Sequence, residues 1–232
     1  MKNKKINIFI LLFLLIATTL FSQRIGFQAG GTLTGFHQQS MDSKTGDFPL
    51  IIGALGGPEI EFRLSEKYGI NVAGLFEFRA GRNDISWYKP GTTYTRELFY
   101  AQAPIHLTYR KPWGKKAKLM YFSGPRLNVG LFGTTNEHYY LASRPQINDD
   151  TNFGGHNTLH RMDLVYDLGI GLEVQRFQFK LSYGFPLTNS ANVSDLKYFG
   201  QHQLQLNVGI TIKKFKDKKA KVSQETTPAD SK

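Results

Sequence analysis

The 6 histidines and the acids are the first places to look for chemistry in this chain, and cysteine is absent from all 232 residues. Without thiols there is no disulfide, thiolate metal site, cysteine nucleophile or lipid-bearing N-terminal cysteine. His156 and His160 stand four apart, a spacing that aligns ligands on a helix; here they fall in a loop entering a strand. Asp149-Asp150-Thr151-Asn152 offers oxygens that could touch a calcium ion, but the stretch reads as a solvated loop. Gly169-x-Gly171 lies inside an alternating segment and opens no helix, so it is no dinucleotide loop. P-loop, HExxH and GxSxG patterns are absent. His106 is a central histidine on the polar face of its segment. A satisfied interior role suits it better than that of a general base, which would need a positioned nucleophile beside it. The expectation is a chain that is not an enzyme, with no catalytic residue, cofactor or metal.

The charged residues repay attention once the elements that carry them are laid out. Apolar and polar residues alternate with period two, the signature of strands with two unlike faces. Leu204, Leu206, Val208, Ile210 and Ile212 share one face; Gln203, Gln205, Asn207, Gly209 and Thr211 share the other. Ten such residues are about what a tilted strand needs to cross a bilayer. The same alternation runs through 59–64, 70–79, 163–174 and 177–185. Weaker candidates at 24–36, 97–109 and 118–132 bring the expected count to about eight. Glu59, Glu61, Glu77, Asp163, Asp167 and Glu173 lie on the polar faces, with Arg63, Arg79, Arg96, Arg126, Arg161 and Lys180 to balance them. Six acids against six bases is a charge network expected in a narrow barrel lumen, where an unpaired charge is very costly.

The links between strands alternate too. Short ones lie at 65–69, 110–117 and 175–176, long polar ones at 37–50, 81–93, 133–158 and 187–199. Short turns on one rim, long loops on the other and an even strand number describe an antiparallel up-and-down transmembrane β-barrel. Within 133–158, residues Glu137–Ala142 could add a hairpin and raise the count towards ten. Tyr68, Tyr109 and Trp113 fall near short turns, and Trp87, Tyr88 and Tyr94 near a long loop, as two interfacial girdles would. A soluble eight-stranded barrel shares the periodicity but turns its apolar face inward.

The ends are of another kind. Lys2, Lys4 and Lys5 precede an apolar run from Ile8 to Ala17, ending near Phe21-Ser22-Gln23, which reads as a cleaved signal peptide over 1–22. The run is about half the ~20 residues of a membrane-spanning helix. Residues 23–213 form the barrel domain, and 214–232 read as a disordered, lysine-rich periplasmic tail. Of the net charge of +11, the leader holds +3 and the last twenty residues +4, so the body is nearly balanced. Terminal basicity and export leave no nucleic-acid partner; outer-membrane lipid is the expected surrounding, with oligomeric state open.

Several local patterns resemble the small Gram-negative outer-membrane β-barrel family often labelled PorT-like. Tyr100-Ala-Gln-Ala-Pro104-Ile-His-Leu-Thr-Tyr109 is similar to its strand with a central proline, departing from it at Gln102 and Ala103. Ser123-Gly124-Pro125, Asp163 through Gly169-Ile-Gly171-Leu-Glu173, and Phe179 through Tyr183-Gly184-Phe185 resemble further strands. The resemblance spans about 24–213 and implies residence in the cell outer membrane, with envelope or secretion proteins as partners. Eight strands leave an interior that side chains can fill, so the expected function is a sealed, non-enzymatic structural or interaction module. The alternative is a small-solute channel, porin-like. Pro104, which donates no ladder hydrogen bond, predicts a bulge or kink that Pro125 on the next strand would share.

Overall fold

The computed structural model describes residues 22–40, 45–84, 92–139, 146–148, 159–190 and 196–214. The expected leader, the tail beyond 214, Trp87, Tyr88, Asp149, Asp150 and His156 lie outside the described residues. The described chain is ten antiparallel strands: β1 (Ser22–Ser40), β2 (Thr45–Arg63), β3 (Tyr68–Ala73), β4 (Leu75–Asp84), β5 (Thr92–Trp113), β6 (Ala117–Tyr139), β7 (Gln146–Asn148), β8 (Met162–Val174), β9 (Phe177–Pro186) and β10 (Leu196–Lys214). Strand β1 pairs with β2 on one side and with β10 on the other, so the sheet closes on itself. Closure removes the exposed edges that a membrane could not satisfy.

Nine of the strands form the wall. β3 and β4 are separated by Gly74 alone, and both pair with β2 and β5 in one continuous register. They make a single stave, and the wall has eight. β7 stands outside it, pairing with β6 over Thr135–Glu137. A hairpin does therefore form from the 133–158 segment, but it extends β6 and adds no stave.

The alternation expected from sequence separates inside from outside. Phe76, Ile105, Leu206 and Ile212 are half or more exposed, whereas Glu77, Gln102, Gln205 and Thr211, on the opposite parity of the same strands, are buried. The apolar face therefore looks outward along every stave, opposite to a soluble barrel. Two aromatic rows mark its limits. Near the short turns, Tyr68, Tyr109 and Tyr121 lie side by side on β3, β5 and β6, with ring centroids 5.2 and 6.3 Å apart. Towards the other rim Phe78, Phe99 and Phe132 repeat the arrangement on β4, β5 and β6, at 4.8 and 4.3 Å. Along β5 the two rows are separated by the interval from Phe99 to Tyr109. At about 3.3 Å per residue and a tilt of about 40°, that interval stands roughly 25 Å tall, the height of a barrel's apolar band.

Several strands run past the expected ends. β1 reaches Ser40 and β2 starts at Thr45, so most of the expected 37–50 loop is ladder. There the period-two signal vanishes, and backbone pairing continues without it. The earlier half of β2 was missed for another reason. Ile51 and Leu55 turn inward on the same parity as Gly53 and Gly57, and Gly56 interrupts the outward series, so polarity there does not alternate.

The proline irregularity takes a different form from the expected bulge. Opposite Pro104 the register is unshifted, but Ile105 and His106 have no ladder partners on β6, where Gly124 and Pro125 face them. Gly124 has φ +156° and a side chain there would collide with the carbonyl of Ile105. The true bulge lies between Phe99 and Tyr100, where Leu131 on β6 is the extra residue. Leu131 and Phe132 consequently both face out.

Candidate functional site

The inward faces converge on a lumen filled with charged and amide side chains, arranged in layers. Nearest the short turns, Arg24, Arg63 and Arg110 surround Glu61 and Glu173. Arg24 Nη1 donates to Glu173 Oε1 at 2.8 Å and Arg110 Nε to Glu173 Oε2 at 2.9 Å. Arg110 Nη1 lies 2.6 Å from Glu61 Oε1. Arg63 stays 3.7 and 3.9 Å from the two carboxylates. Above this, Lys180 Nζ donates to Glu59 Oε2 at 2.6 Å and to Gln28 Oε1 at 3.4 Å, and Asn71 supports Glu59 at 3.3 Å.

Midway up, Asp167 sits between His106, whose Nε2 is 3.0 Å from Oδ2, and Arg126, whose Nη2 is 3.2 Å from Oδ1. Phe122 packs its ring against His106 at 5.2 Å and over Gly169, its ladder partner, where a Cβ would strike it. The next layer is built round Glu77. Its carboxylate receives Thr32 Oγ1 at 2.7 Å, Arg79 Nη2 at 2.7 Å, and the amides of Gln102 and Gln203. Arg79 also donates to Gln201 Oε1 at 2.6 Å and stacks 4.2 Å above the Tyr100 ring. Near the outer rim Asp163 accepts from Thr188 Oγ1 at 2.7 Å.

Many of these bonds cross the lumen. Arg24 to Glu173, Lys180 to Glu59 and Arg79 to Gln201 each join staves three apart in a wall of eight. Arg79, Glu77 and Arg126 keep at most 2% of their surface exposed. Charges so buried persist only when paired and hydrogen-bonded. The arrangement positions these side chains and buries their charges. The His106–Asp167 contact shares its carboxylate with Arg126, so Asp167 links β5, β6 and β8 on the lumen side. Among the described residues no group of three potential ligands could hold a metal ion.

Of the residues picked out by sequence, Glu59, Glu61, Arg63, Glu77, Arg79, Arg126, Asp163, Asp167, Glu173 and Lys180 do face the lumen. Arg96 lies on the same parity, half-buried, further up β5. Arg161 does not belong with them. It is exposed in the bend before β8, where the strand's alternation no longer fixes its side, and its carbonyl accepts Gly130 N–H at 2.7 Å. Arg24 and Arg110 take cationic places that sequence did not assign. Both carry the inward parity of their strands, but Arg24 begins a weak segment and Arg110 was assigned to a turn. The amides of Gln28, Gln102, Gln203 and Gln205 were overlooked as network members because only charges were balanced.

A closed antiparallel wall, an outward apolar band between two aromatic rows and a charged lumen define an outer-membrane β-barrel. The family model for the outer membrane protein beta-barrel domain matches residues 21–192, and the chain belongs to that family. It resides in the outer membrane, in contact with lipid. No curated protein matches the chain. Among solved structures it is similar to Ail, the attachment invasion locus protein of Yersinia pestis, in complex with the heparin analogue sucrose octasulfate. That likeness has 12% identity and TM-score 0.45, over 82% of this chain and 99% of that one. Neisserial surface protein A shares 14% identity at TM-score 0.40, over 81% and 96% of the two chains. The outer membrane enzyme PagL shares 10% at TM-score 0.36, over 78% and 99%.

Proposed function

We propose that this barrel is a sealed, non-enzymatic module that holds binding surface at the outer membrane and conducts nothing through its lumen. The observation that carries the reading is the Glu77 carboxylate. Four donors meet on it, from β1, β4, β5 and β10, which lie on both sides of the lumen. Glu59, Lys180, Asp167, Arg126 and Glu173 extend the plug towards the short-turn rim, with Arg24 and Arg110. A lumen packed in this way contributes stability and leaves interaction to the rims. The resemblance to PorT-like barrels makes secretion machinery the first partner class to seek.

The absence of cysteine makes the test direct. Single cysteines placed at His37 or Lys67, one on each rim, carry a photo-crosslinker in living cells. The reading expects a discrete adduct with an envelope protein from at least one rim, and a secretion or envelope defect when the chain is removed. No adduct from either rim and an unchanged envelope would remove the interaction role.

A further inference from the structure

The short-turn mouth of the barrel gathers an excess of basic side chains. A cavity of about 290 Å³ opens there between the β5–β6 turn and the ends of β1 and β8. Arg24 and Glu173 form its floor, and Lys115, Lys116 and Lys118 its side, around Gly114. Glu173 is the one acid among the described lining residues. Both its oxygens are already engaged, by Arg24 at 2.8 Å and Arg110 at 2.9 Å. In the same cluster, Arg63 Nε and Nη2 are buried without a hydrogen-bond partner. Among the described residues, Arg24, Arg63, Arg110 and the three lysines gather with Glu61 and Glu173, six cations with two anions.

Such an imbalance is unlike the lumen above, where Lys180 matches Glu59 and Asp167 is shared by Arg126 and His106. A concave mouth with low-dielectric walls concentrates the field of these charges on the space between them. A tetrahedral oxyanion suits it best. Phosphate offers several acceptor oxygens to separate donors, and lysine ammoniums and guanidiniums bind it as point charge and fork respectively. Trp113, exposed next to the turn, places the cavity just beyond the lower aromatic row, at the level where lipid headgroups begin.

We propose that this mouth is an anion site that takes a phosphate group, supplied either by a lipid headgroup or by a free phosphate ester in the periplasm. The three lysines are the recruiting residues, and Arg24 is the buried anchor. Lys115 and Lys116 sit on the turn outside the ladder and Lys118 at the second position of β6, and their side chains can be changed while the backbone pairing of the wall is kept.

The experiment uses the full mature chain, amide-labelled for NMR. Inorganic phosphate is titrated in zwitterionic detergent, and phosphatidylglycerol is added separately to phosphatidylcholine nanodiscs. A saturable shift of amides 114–118 is expected in at least one arm. Response to free phosphate assigns a soluble ester, and response to phosphatidylglycerol alone assigns a headgroup. Lys115→Gln, Lys116→Gln and Lys118→Gln together should weaken that binding about tenfold. Lys67→Gln with Arg176→Gln, on the same rim but outside the cavity, should leave it as in the parent. The proposal is overturned by no saturable shift in either arm, or by equal weakening in the two variants.

Discussion

Lys180 of β9 and Glu59 of β2 meet at 2.6 Å across the lumen, from staves three apart and positions 121 residues apart in the chain. Neither charge can reach bulk water from there: Glu59 is 4% exposed and Lys180 9%. The pair ties opposite walls together, and its energetics follow from its burial. Glu59→Met or Lys180→Met alone strands the remaining charge and should cost about 3–5 kcal/mol. The double variant, having no charge to strand, should lose less than either single change. Urea unfolding of the barrel in lipid vesicles measures all three.

Glu77 should be the costliest lumen carboxylate to remove. Glu77→Ala leaves Arg79 buried without its counter-ion and deprives Thr32, Gln102 and Gln203 of their acceptor. A loss of at least about 3–5 kcal/mol is expected in the same unfolding assay. Glu77→Gln keeps an acceptor and should lose less. Equal stability in all three forms would show that the hub carries no load.

The division of faces was legible from sequence, and so was much of the lumen. Period-two alternation persists wherever one face meets lipid and the other the charged interior, as along β8, β9 and β10. It fails where that contrast fails. The upper parts of β1 and β2 carry no period-two contrast in sequence, and Ile51 and Leu55 put apolar residues inside. The network's membership was limited by a different fact: strand ends decide whether parity applies. Arg161 falls just outside β8 and turns away, while Arg110 remains inside β5 and turns in. No sequence rule reports which staves will touch across the lumen. Gln203 reaches Glu77 because closure brings β10 near β4, and closure is a property of the whole wall.

A test of the outward face comes from lysine substitution by depth. Ile105 is half exposed and lies midway between Phe99 and Tyr109 on β5. Ile105→Lys should destabilise the inserted barrel by about 2–4 kcal/mol, and Trp113→Lys at the short-turn rim by about 0–1. Equal effects at the two depths, read from vesicle unfolding, would place the band elsewhere.

The contact of Phe122 with Gly169 joins β6 to β8 from the lumen side. A Cβ at Gly169 strikes the ring and also comes within 2.8 Å of the Leu181 carbonyl. Gly169→Ala should therefore cost about 1–3 kcal/mol. Combined with Phe122→Leu, the penalties should fall short of their sum, because the smaller side chain relieves the collision. Strict additivity would mean that the ring does not press on this position.

The central claim is that side chains close the lumen, and ion conductance tests it most directly. The refolded mature chain is inserted into a planar bilayer, with insertion verified by protease protection of the same preparation. The sealed network predicts silence at every applied voltage. Steady, discrete current steps would contradict it, and the small-solute channel would become the better account of the protein.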